Sequence, residues 1–436
     1  MFQPRGTVES RQDFSAAGTL CRGQTSGRRP GRHGKTQNGC RQIRNRSMNA
    51  TVAEKPVKVS EFVPKNVEQT REWVLERISR EQSIRISGNR TSIQREQVRD
   101  DENQGLPVSI RALKKIHFFD PDDLVAGMEA GQTAAELQQL LGEKNMQLAI
   151  NPWYPESTLG GMVSANISGP NRMNMGGLRD SLIGIEFING KGERVKAGGK
   201  VVKNVTGYDL TRMMIGHLGG LGLITSVNFK VQPFVIEPHA VFVETGIQDW
   251  QNLVENLQVK RIPLDWVQAV SASPEGQNIL LGAGFSGNAE RRERIVKEVQ
   301  EVFGDKSFML ADSDDSQDWP ALPGKERFHG FIPFYLSHWK IDAPALHLQA
   351  SMPTADLLKL PLDLLSSWNP RMILHPIGAD LHLFLDQEDG KQQKEFLQTL
   401  KNVLPQNSAN LRLLRSAPEI GDEMLENFAK PPGYSL

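Results

Sequence analysis

The chain has 436 residues, 38% hydrophobic and 23% charged, with 51 Lys/Arg against 51 Asp/Glu. Its length allows two or three domains, and no apolar run reaches the ~18–20 residues that a membrane-spanning helix needs. The zero net charge hides an uneven distribution, because residues 1–47 carry ten Lys/Arg against Glu9 and Asp13, leaving the remainder at −8.

That basic, Gly/Ser/Arg-rich stretch has almost no apolar periodicity, so it cannot bury enough surface to offset its ordering entropy and is expected to be disordered. Three readings of it stand side by side: an upstream extension ahead of a start at Met48, a transit peptide, or a nucleic-acid-binding tail. Residues 1–30 contain no continuous apolar segment of the secretory kind, so a cytoplasmic protein is expected, attached to a membrane only through partner subunits. Both cysteines, Cys21 and Cys40, fall in this stretch. The folded part therefore has no thiol for a disulfide, a cysteine-ligated metal or cluster, or a cysteine nucleophile.

Periodicity begins after Pro56. Val67, Thr70, Val74 and Ile78 share one helical face, and Ile84 and Ile86 alternate as a strand that ends at Gly88. A polar segment from Gln94 to Gln104 reads as a loop, and apolar runs resume at Leu106–Ile110 and Asp123–Ala130. Thr133 and Glu136 have the spacing of a capping box ahead of Leu137, Leu140 and Leu141, which predicts a helix start. Ile183, Ile185 and Phe187 alternate toward Asn189-Gly190, and Glu193–Ala197 returns, which predicts a hairpin with positive backbone angles at Asn and Gly. Past Pro233, strand-like runs at Ala240–Glu244, Ile279–Phe285, Leu346–Ala350, Met372–Ile377 and Leu381–Leu385 alternate with helical ones. Ile295, Val299 and Val302 mark the clearest helix. This predicts a second α+β domain with an antiparallel sheet covered by helices on one face, and a polar loop at Asp312–Asp318.

The chemistry concentrates between Pro152 and Pro233, where 15 of 82 residues are glycine. Glycine costs about 0.5–1 kcal/mol relative to alanine inside a regular element, so this density implies special backbone angles or close approach of backbone to a ligand. A phosphate-bearing cofactor is the usual ligand of that kind. Ser157-Thr158-Leu159-Gly160-Gly161 reads as a tight turn presenting amides and two hydroxyls. Gly169-Pro170-Asn171-Arg172 and Gly176-Gly177-Leu178-Arg179-Asp180 add two arginines able to pair with phosphate, or in the case of Arg179 to brace loops through Asp180. Gly198-Gly199-Lys200 through Lys203-Asn204-Val205-Thr206-Gly207-Tyr208-Asp209-Leu210 is a glycine-bounded loop entering a helix capped by Asp209. The dinucleotide fingerprint G-x-G-x-x-G after a strand is absent.

These pieces, in this order and followed by Gly220-Leu221-Gly222-x-Ile224-Thr225, resemble the FAD-binding domain of the vanillyl-alcohol oxidase/PCMH superfamily, and within it the flavin subunits of the glycolate oxidase type. The resemblance extends back to Ser87-Gly88-Asn89-Arg90-Thr91-Ser92, the family's pyrophosphate loop. It implies an α+β fold with a PCMH-type domain over residues 56–236, made of two α+β subdomains, followed by a cap domain over 237–436 that matches in pattern only. It implies FAD as cofactor, with the diphosphate against Gly88, Asn89, Arg90, Thr91 and Ser92, the ring near Ser157, Thr158, Leu159, Gly160 and Gly161, and the adenine side near Gly222 and Ile224. Gly169, Pro170, Arg172, Arg179, Asp180, Lys203, Asn204, Gly207 and Tyr208 belong to the same cofactor-binding series. Relatives carry several consecutive glycines in the pyrophosphate loop, whereas here Gly88 is followed by Asn89-Arg90-Thr91, with Arg90 offering charge instead. The chain closes on Pro431-Pro432-Gly433-Tyr434-Ser435-Leu436, without the family's frequent Asn-Pro-Gly.

The activity so implied is transfer of a hydride equivalent from a small 2-hydroxy acid to non-covalently bound FAD, since no histidine in the loop and no cysteine in the fold offers a covalent anchor. The implied partners are a paralogous flavin subunit and an iron–sulfur subunit. Two other readings remain open: a structural subunit with weakened or lost flavin binding, and a stand-alone D-lactate-type dehydrogenase. A 2-hydroxy acid needs an arginine for its carboxylate and a histidine-like base. The cap offers Arg327, His329, His338, Arg371, His375 and His382 without a motif to choose among them. His217, between glycines, reads as a contact to backbone or solvent. No histidine pair has metal-ligand spacing, so no metal is expected.

Overall fold

The computed structural model describes residues 60–91, 105–150, 152, 154–169, 172–200, 209–234, 238–271, 278–309, 346–386, 389–405 and 408–415. The basic extension 1–47, the loops at 94–104 and 312–318, the closing segment 431–436, and the named positions Ser92, Pro170, Lys203, Asn204, Gly207, Tyr208, Arg327, His329 and His338 lie outside the described residues. Residues 56–436 form one compact unit. Among the described residues no helix is long and apolar enough to cross a membrane.

Helix α1 (Val67–Ser79) starts where Asn66 Oδ1 accepts the Gln69 amide at 2.9 Å, and it buries Thr70 and Val74. Strand β1 (Ile84–Ser87) follows and pairs in parallel with β2 (Leu106–Ser109). Phe62 bridges to Val108 beside this pair and stacks on Trp73 at 5.1 Å, which fixes α1 against the strands.

Next comes a five-stranded antiparallel sheet of β3 (Ile116–Asp120), β4 (Val125–Glu129), β6 (Leu182–Ile188), β7 (Arg194–Gly198) and β8 (Leu223–Lys230), in the order β3-β4-β8-β6-β7. The short β5 (Met146–Gln147) pairs with β9 (Gln232–Pro233) outside it. Strand alternation sends Ala126, Met128, Ile185, Phe187, Val227 and Phe229 into one core with Leu137 and Leu141 of α2 (Ala134–Gly142) and Leu159, Met162 and Val163 of α3 (Leu159–Ala165). The Thr133–Glu136 capping box forms in both directions, at 3.1 and 2.8 Å, as its spacing requires. The β6–β7 hairpin forms, but its turn is not a two-residue Asn-Gly turn. Asn189 N donates to Glu193 O, Asn189 Oδ1 takes the amides of Lys191 and Glu193, and the positive φ falls at Gly192 (74°) rather than at Asn189 or Gly190. An asparagine side chain that bonds its own downstream amides lengthens the loop and moves the left-handed residue to its end.

Beyond residue 237 an eight-stranded sheet runs in the order β13-β10-β12-β11-β15-β16-β14-β17, and its named pairings are all antiparallel. Its strands are β10 (Pro238–Gly246), β11 (Trp266–Ser271), β12 (Asn278–Ser286), β13 (Phe308–Met309), β14 (Leu346–Ser351), β15 (Arg371–His375), β16 (Asp380–Leu385) and β17 (Asn410–Arg415). Leu346, Leu348, Met372, Leu374, Leu381 and Leu383 share a core with Val254 and Leu257 of α7 (Trp250–Lys260), Ile295 and Val299 of α8 (Ala289–Phe303), and Phe396, Leu397 and Leu400 of α9 (Gly390–Val403). That is the one helix-covered face the apolar periodicity predicts. The alternate positions on the other face are also buried and mix apolar residues, Phe242, Val270, Ile373 and Phe384, with polar ones, Gln268, His347, His375, Asp380 and His382.

Candidate functional site

A groove of about 300 Å³ opens beyond the C-terminal ends of the parallel strands β1 and β2, where α/β topologies place their ligands. One wall is the segment Gly88–Thr91. Ser109 Oγ donates to Gly88 O at 3.1 Å, Asn89 Nδ2 to Glu156 O at 2.7 Å, Arg90 pairs with Glu61 at 2.5 Å, and Thr91 Oγ1 meets Ser157 Oγ at 2.6 Å. Four consecutive residues are thus each fastened to a different part of the fold. Gly88 is a glycine for lack of room, since a Cβ there would lie 2.0 Å from Thr158 Oγ1. Among the described residues, the backbone amides of Asn89 and Arg90 have no acceptor.

The opposite wall is the start of α3, and here the geometry departs from a phosphate-binding turn. Thr158 is the helix N-cap, with its Oγ1 accepting the Gly161 amide at 3.2 Å, while Leu159 N donates to Gln132 O and Gly160 N to Ala130 O, each at 2.8 Å. These amides are therefore committed to the protein. Leu159 is fully buried in the core and does not reach the groove, and Ser157 acts through Thr91. What α3 offers is closeness: Gly160 packs so that a Cβ would lie 2.8 Å from Ile110 Cδ1, and Gly160 and Gly161 both line the groove. Gly222 and Ile224 form the third wall, and a Cβ on Gly222 would lie 2.6 Å from Ile188 O.

His217 makes the backbone contact that sequence reading expected, and it also lines this groove. Its Nδ1 accepts the amides of Gly219 (3.2 Å) and Leu221 (3.3 Å), so the ring proton sits on Nε2. That nitrogen is buried without a hydrogen-bond partner, on a residue that lines the groove. Burial also lowers the pKa of His217, so the ring is neutral at pH 7 with a fixed tautomer and one unused donor. The signal in the sequence was a histidine bounded by Gly216 and Gly219-Gly220, whose close turn brings amides back onto its ring.

Other expected members stand elsewhere. Gly169 O accepts the Arg172 amide in the turn that starts α4 (Arg172–Met175), and Arg172 Nη1 lies 4.0 Å from Asp380 Oδ2 on β16. Asp180 in α5 (Leu178–Ser181) braces the loop through the Gly177 amide at 2.8 Å rather than through Arg179. Neither arginine lines the groove. Asp209 caps α6 (Leu210–Met213) as read, accepting the Arg212 amide at 3.0 Å.

The groove therefore combines uncommitted loop amides, an orphaned imidazole N–H and a glycine floor that permits close approach. Those features fit an extended, acceptor-rich anionic cofactor such as FAD.

A second polar cluster lies on the opposite face of the eight-stranded sheet. Tyr154, three residues before Ser157, places its hydroxyl 3.0 Å from His347 Nδ1, and His347 Nε2 lies 3.0 Å from His382 Nδ1. His375 meets the His382 ring edge-on at 5.9 Å between centroids, and burial pushes its pKa down to about 3. Arg371, a candidate for a substrate carboxylate, is ion-paired to Asp386. Among the described residues no group of three or more His, Cys, Asp or Glu is arranged to hold a metal.

Residues 61–198 match the FAD binding domain family. Solved alkyldihydroxyacetonephosphate synthase superposes on 79% of this chain and 70% of that one with a TM-score of 0.60 at 15% identity, which shows a shared PCMH-type α+β fold. The protein is an FAD-binding oxidoreductase of that fold, and its cofactor is FAD. It is similar to glycolate oxidase subunit GlcE of Escherichia coli K12, 27% identical over 274 residues that cover 61% of this chain and 68% of that protein. It is also similar to the mitochondrial D-lactate dehydrogenase [cytochrome] of Arabidopsis thaliana, 26% identical over 49% of this chain but only 40% of the plant enzyme. Glycolate oxidase subunit GlcD of Bacillus subtilis is 31% identical over 130 residues, 30% of this chain and 28% of that protein.

Proposed function

We propose that the protein is a flavin-carrying subunit of a multi-subunit oxidase or dehydrogenase acting on glycolate or another small 2-hydroxy acid. The observation that supports this most is the set of donors lining the groove, the Asn89 and Arg90 amides and His217 Nε2, together with a buried histidine cluster on the cap sheet that Tyr154, in the loop before α3, contacts. The names of the relatives, acting on glycolate and D-lactate, point to the same substrate class. FAD held non-covalently in the groove supplies the acceptor for a hydride equivalent from the hydroxyl-bearing carbon.

The chain's own residues divide the remaining work. Gly88–Thr91 binds the diphosphate through backbone amides, Gly160 and Gly161 allow close approach, and Gly222, Ile224 and the His217 Nε2–H hold the far end. By the family resemblance alone, Ser92, Lys203, Asn204, Gly207 and Tyr208 belong to the same cofactor-binding series. The hydrogen-bonded chain Tyr154–His347–His382 takes up the hydroxyl proton. Electrons pass on through a paralogous flavin subunit and an iron–sulfur subunit, because this chain has no cysteine beyond residue 40 to ligate a cluster.

The test is an absorption spectrum of the purified protein with acid release of its chromophore, followed by dye reduction with glycolate and D-lactate in the presence and absence of co-expressed partner subunits. A flavin spectrum with substrate-dependent reduction only in the complex is expected. A colourless protein that takes up no added FAD overturns the proposal.

A further inference from the structure

We infer that the Glu61–Arg90 ion pair does in this chain what a glycine would do at the same point of the loop, holding the backbone in the left-handed region and thereby keeping the loop amides turned to the groove. The inference rests on the FAD reading above, and deepens it by assigning a positioning role to Glu61, which no motif marks. Arg90 has φ = 59° and is the one residue of Gly88–Thr91 with a positive φ. A side chain with a Cβ disfavours that conformation, so a fastening must hold it.

The fastening is visible. Arg90 Nη2 lies 2.5 Å from Glu61 Oε1, Ser87 Oγ donates to the same oxygen at 3.0 Å, and Arg111 Nη1 lies 2.6 Å from Oε2. One carboxylate thus grips the end of β1, the loop, and the turn after β2. It stands on a rigid base, because the neighbouring Phe62 donates its amide to Pro107 O at 3.0 Å and accepts the Ser109 amide at 2.8 Å. Burial tends to raise the Glu61 pKa, but hydrogen bonds from Arg90 and Ser87, the Arg90 charge and the Arg111 hydrogen bond outweigh it and hold the carboxyl below its usual range. The carboxylate is therefore ionised at neutral pH. Arg90 lines the groove while its guanidinium is engaged with Glu61, which sits outside it, and that pair is assigned a conformational contribution, to be separated by experiment from a direct phosphate contact.

A glycine at position 90 would adopt the same φ without the ion pair. This makes a double-mutant cycle decisive. FAD affinity is measured by equilibrium titration for the wild-type full chain, Glu61→Gln, Arg90→Gly and the double variant, and amide exchange at residues 88–91 is measured on the flavin-free proteins. Glu61→Gln is expected to weaken FAD binding about tenfold and to speed exchange in the loop. Arg90→Gly should bind within about twofold of wild type, and adding Glu61→Gln to it should change affinity less than twofold. Arg90→Gly losing affinity as far as Glu61→Gln would assign Arg90 a direct charge role and overturn the inference, as would an unaltered Glu61→Gln. If wild type binds no FAD the functional reading falls, while loop exchange in the flavin-free variants still decides the clamp: unchanged exchange in Glu61→Gln overturns it. Glu61→Ala serves as a second variant should Glu61→Gln fold poorly.

Discussion

Tyr154 and His347 meet at 3.0 Å, hydroxyl to Nδ1, and that contact ties the loop before α3 to β14, the strand next to one edge of the cap sheet. A neutral imidazole donates from one nitrogen and accepts at the other, so the direction of the proton at Tyr154 sets its direction along His347 and His382. With Tyr154 donating, His347 donates from Nε2 and His382 bears its proton on Nε2. With the order reversed, His382 Nε2 is the bare nitrogen that accepts. The tyrosine thereby selects the tautomer at the far end of the chain.

Tyr154→Phe is accordingly expected to lower kcat about tenfold, the scale of one buried hydrogen bond, and to shift the pH profile of kcat while leaving FAD affinity unchanged. Steady-state kinetics of the assembled enzyme across pH, beside an FAD titration, checks this. A variant with wild-type kcat and pH profile would reduce the Tyr154–His347 contact to packing.

His217→Phe keeps the ring's bulk and removes the orphaned Nε2 donor. One unmade hydrogen bond of roughly 1–1.5 kcal/mol corresponds to about a tenfold rise in the FAD dissociation constant. The variant also loses the Nδ1 acceptor for Gly219 and Leu221, so His217→Asn, which offers an acceptor for those amides, separates loop folding from cofactor contact. Tight FAD binding by both variants would show that Nε2 meets no part of the cofactor.

The fold was largely legible in the sequence and the site only in part. Elements with strong local signals came through: the Asn66-capped helix with its Val67/Thr70/Val74 face, the Thr133–Glu136 box, the Asp209 cap and the alternating cap strands. Each of these depends on residues a few positions apart. The groove's most informative members do not. Glu61 acts on Arg90 across 29 positions, Tyr154 on His347 across 193, and Thr91 on Ser157 across 66. The glycine clusters do not by themselves distinguish Gly160, which packs tightly and lines the groove, from Gly169 and Gly177, which shape turns away from it.

Gln268 provides a test on stability. It is fully buried on β11, in register between Gly282 of β12 and, by extension of the β11–β15 pairing, His375, and neither its amide oxygen nor its nitrogen has a hydrogen-bond partner. A buried unpaired amide forfeits its hydration without return, so Gln268→Met, of similar volume, is expected to stabilise the fold by about 1 kcal/mol. The denaturant midpoint should rise with the slope unchanged. A lowered midpoint would show that the amide is satisfied in solution, by water or by a bound group.

His375 sets the pH response of the cap. Burial depresses its folded-state pKa to about 3 from the ordinary histidine value of 6.5, so between those limits the unfolded chain holds the extra proton and folding stability falls as pH falls. The stabilisation is present above pH 6.5 and lost toward pH 3, at about 1.4 kcal/mol per pH unit in the middle of the window. Asp380 lies opposite His375 in the β15–β16 register, and His382 stands on the same strand as Asp380. A direct wild-type curve therefore mixes several groups. The comparison that isolates His375 is urea unfolding of wild type and His375→Leu at pH 7 and pH 5. Wild type is expected to lose about 2 kcal/mol more than the variant over that interval, since the leucine carries no proton in either state. Equal losses would mean that His375 is hydrated and titrates near its ordinary value in the folded cap.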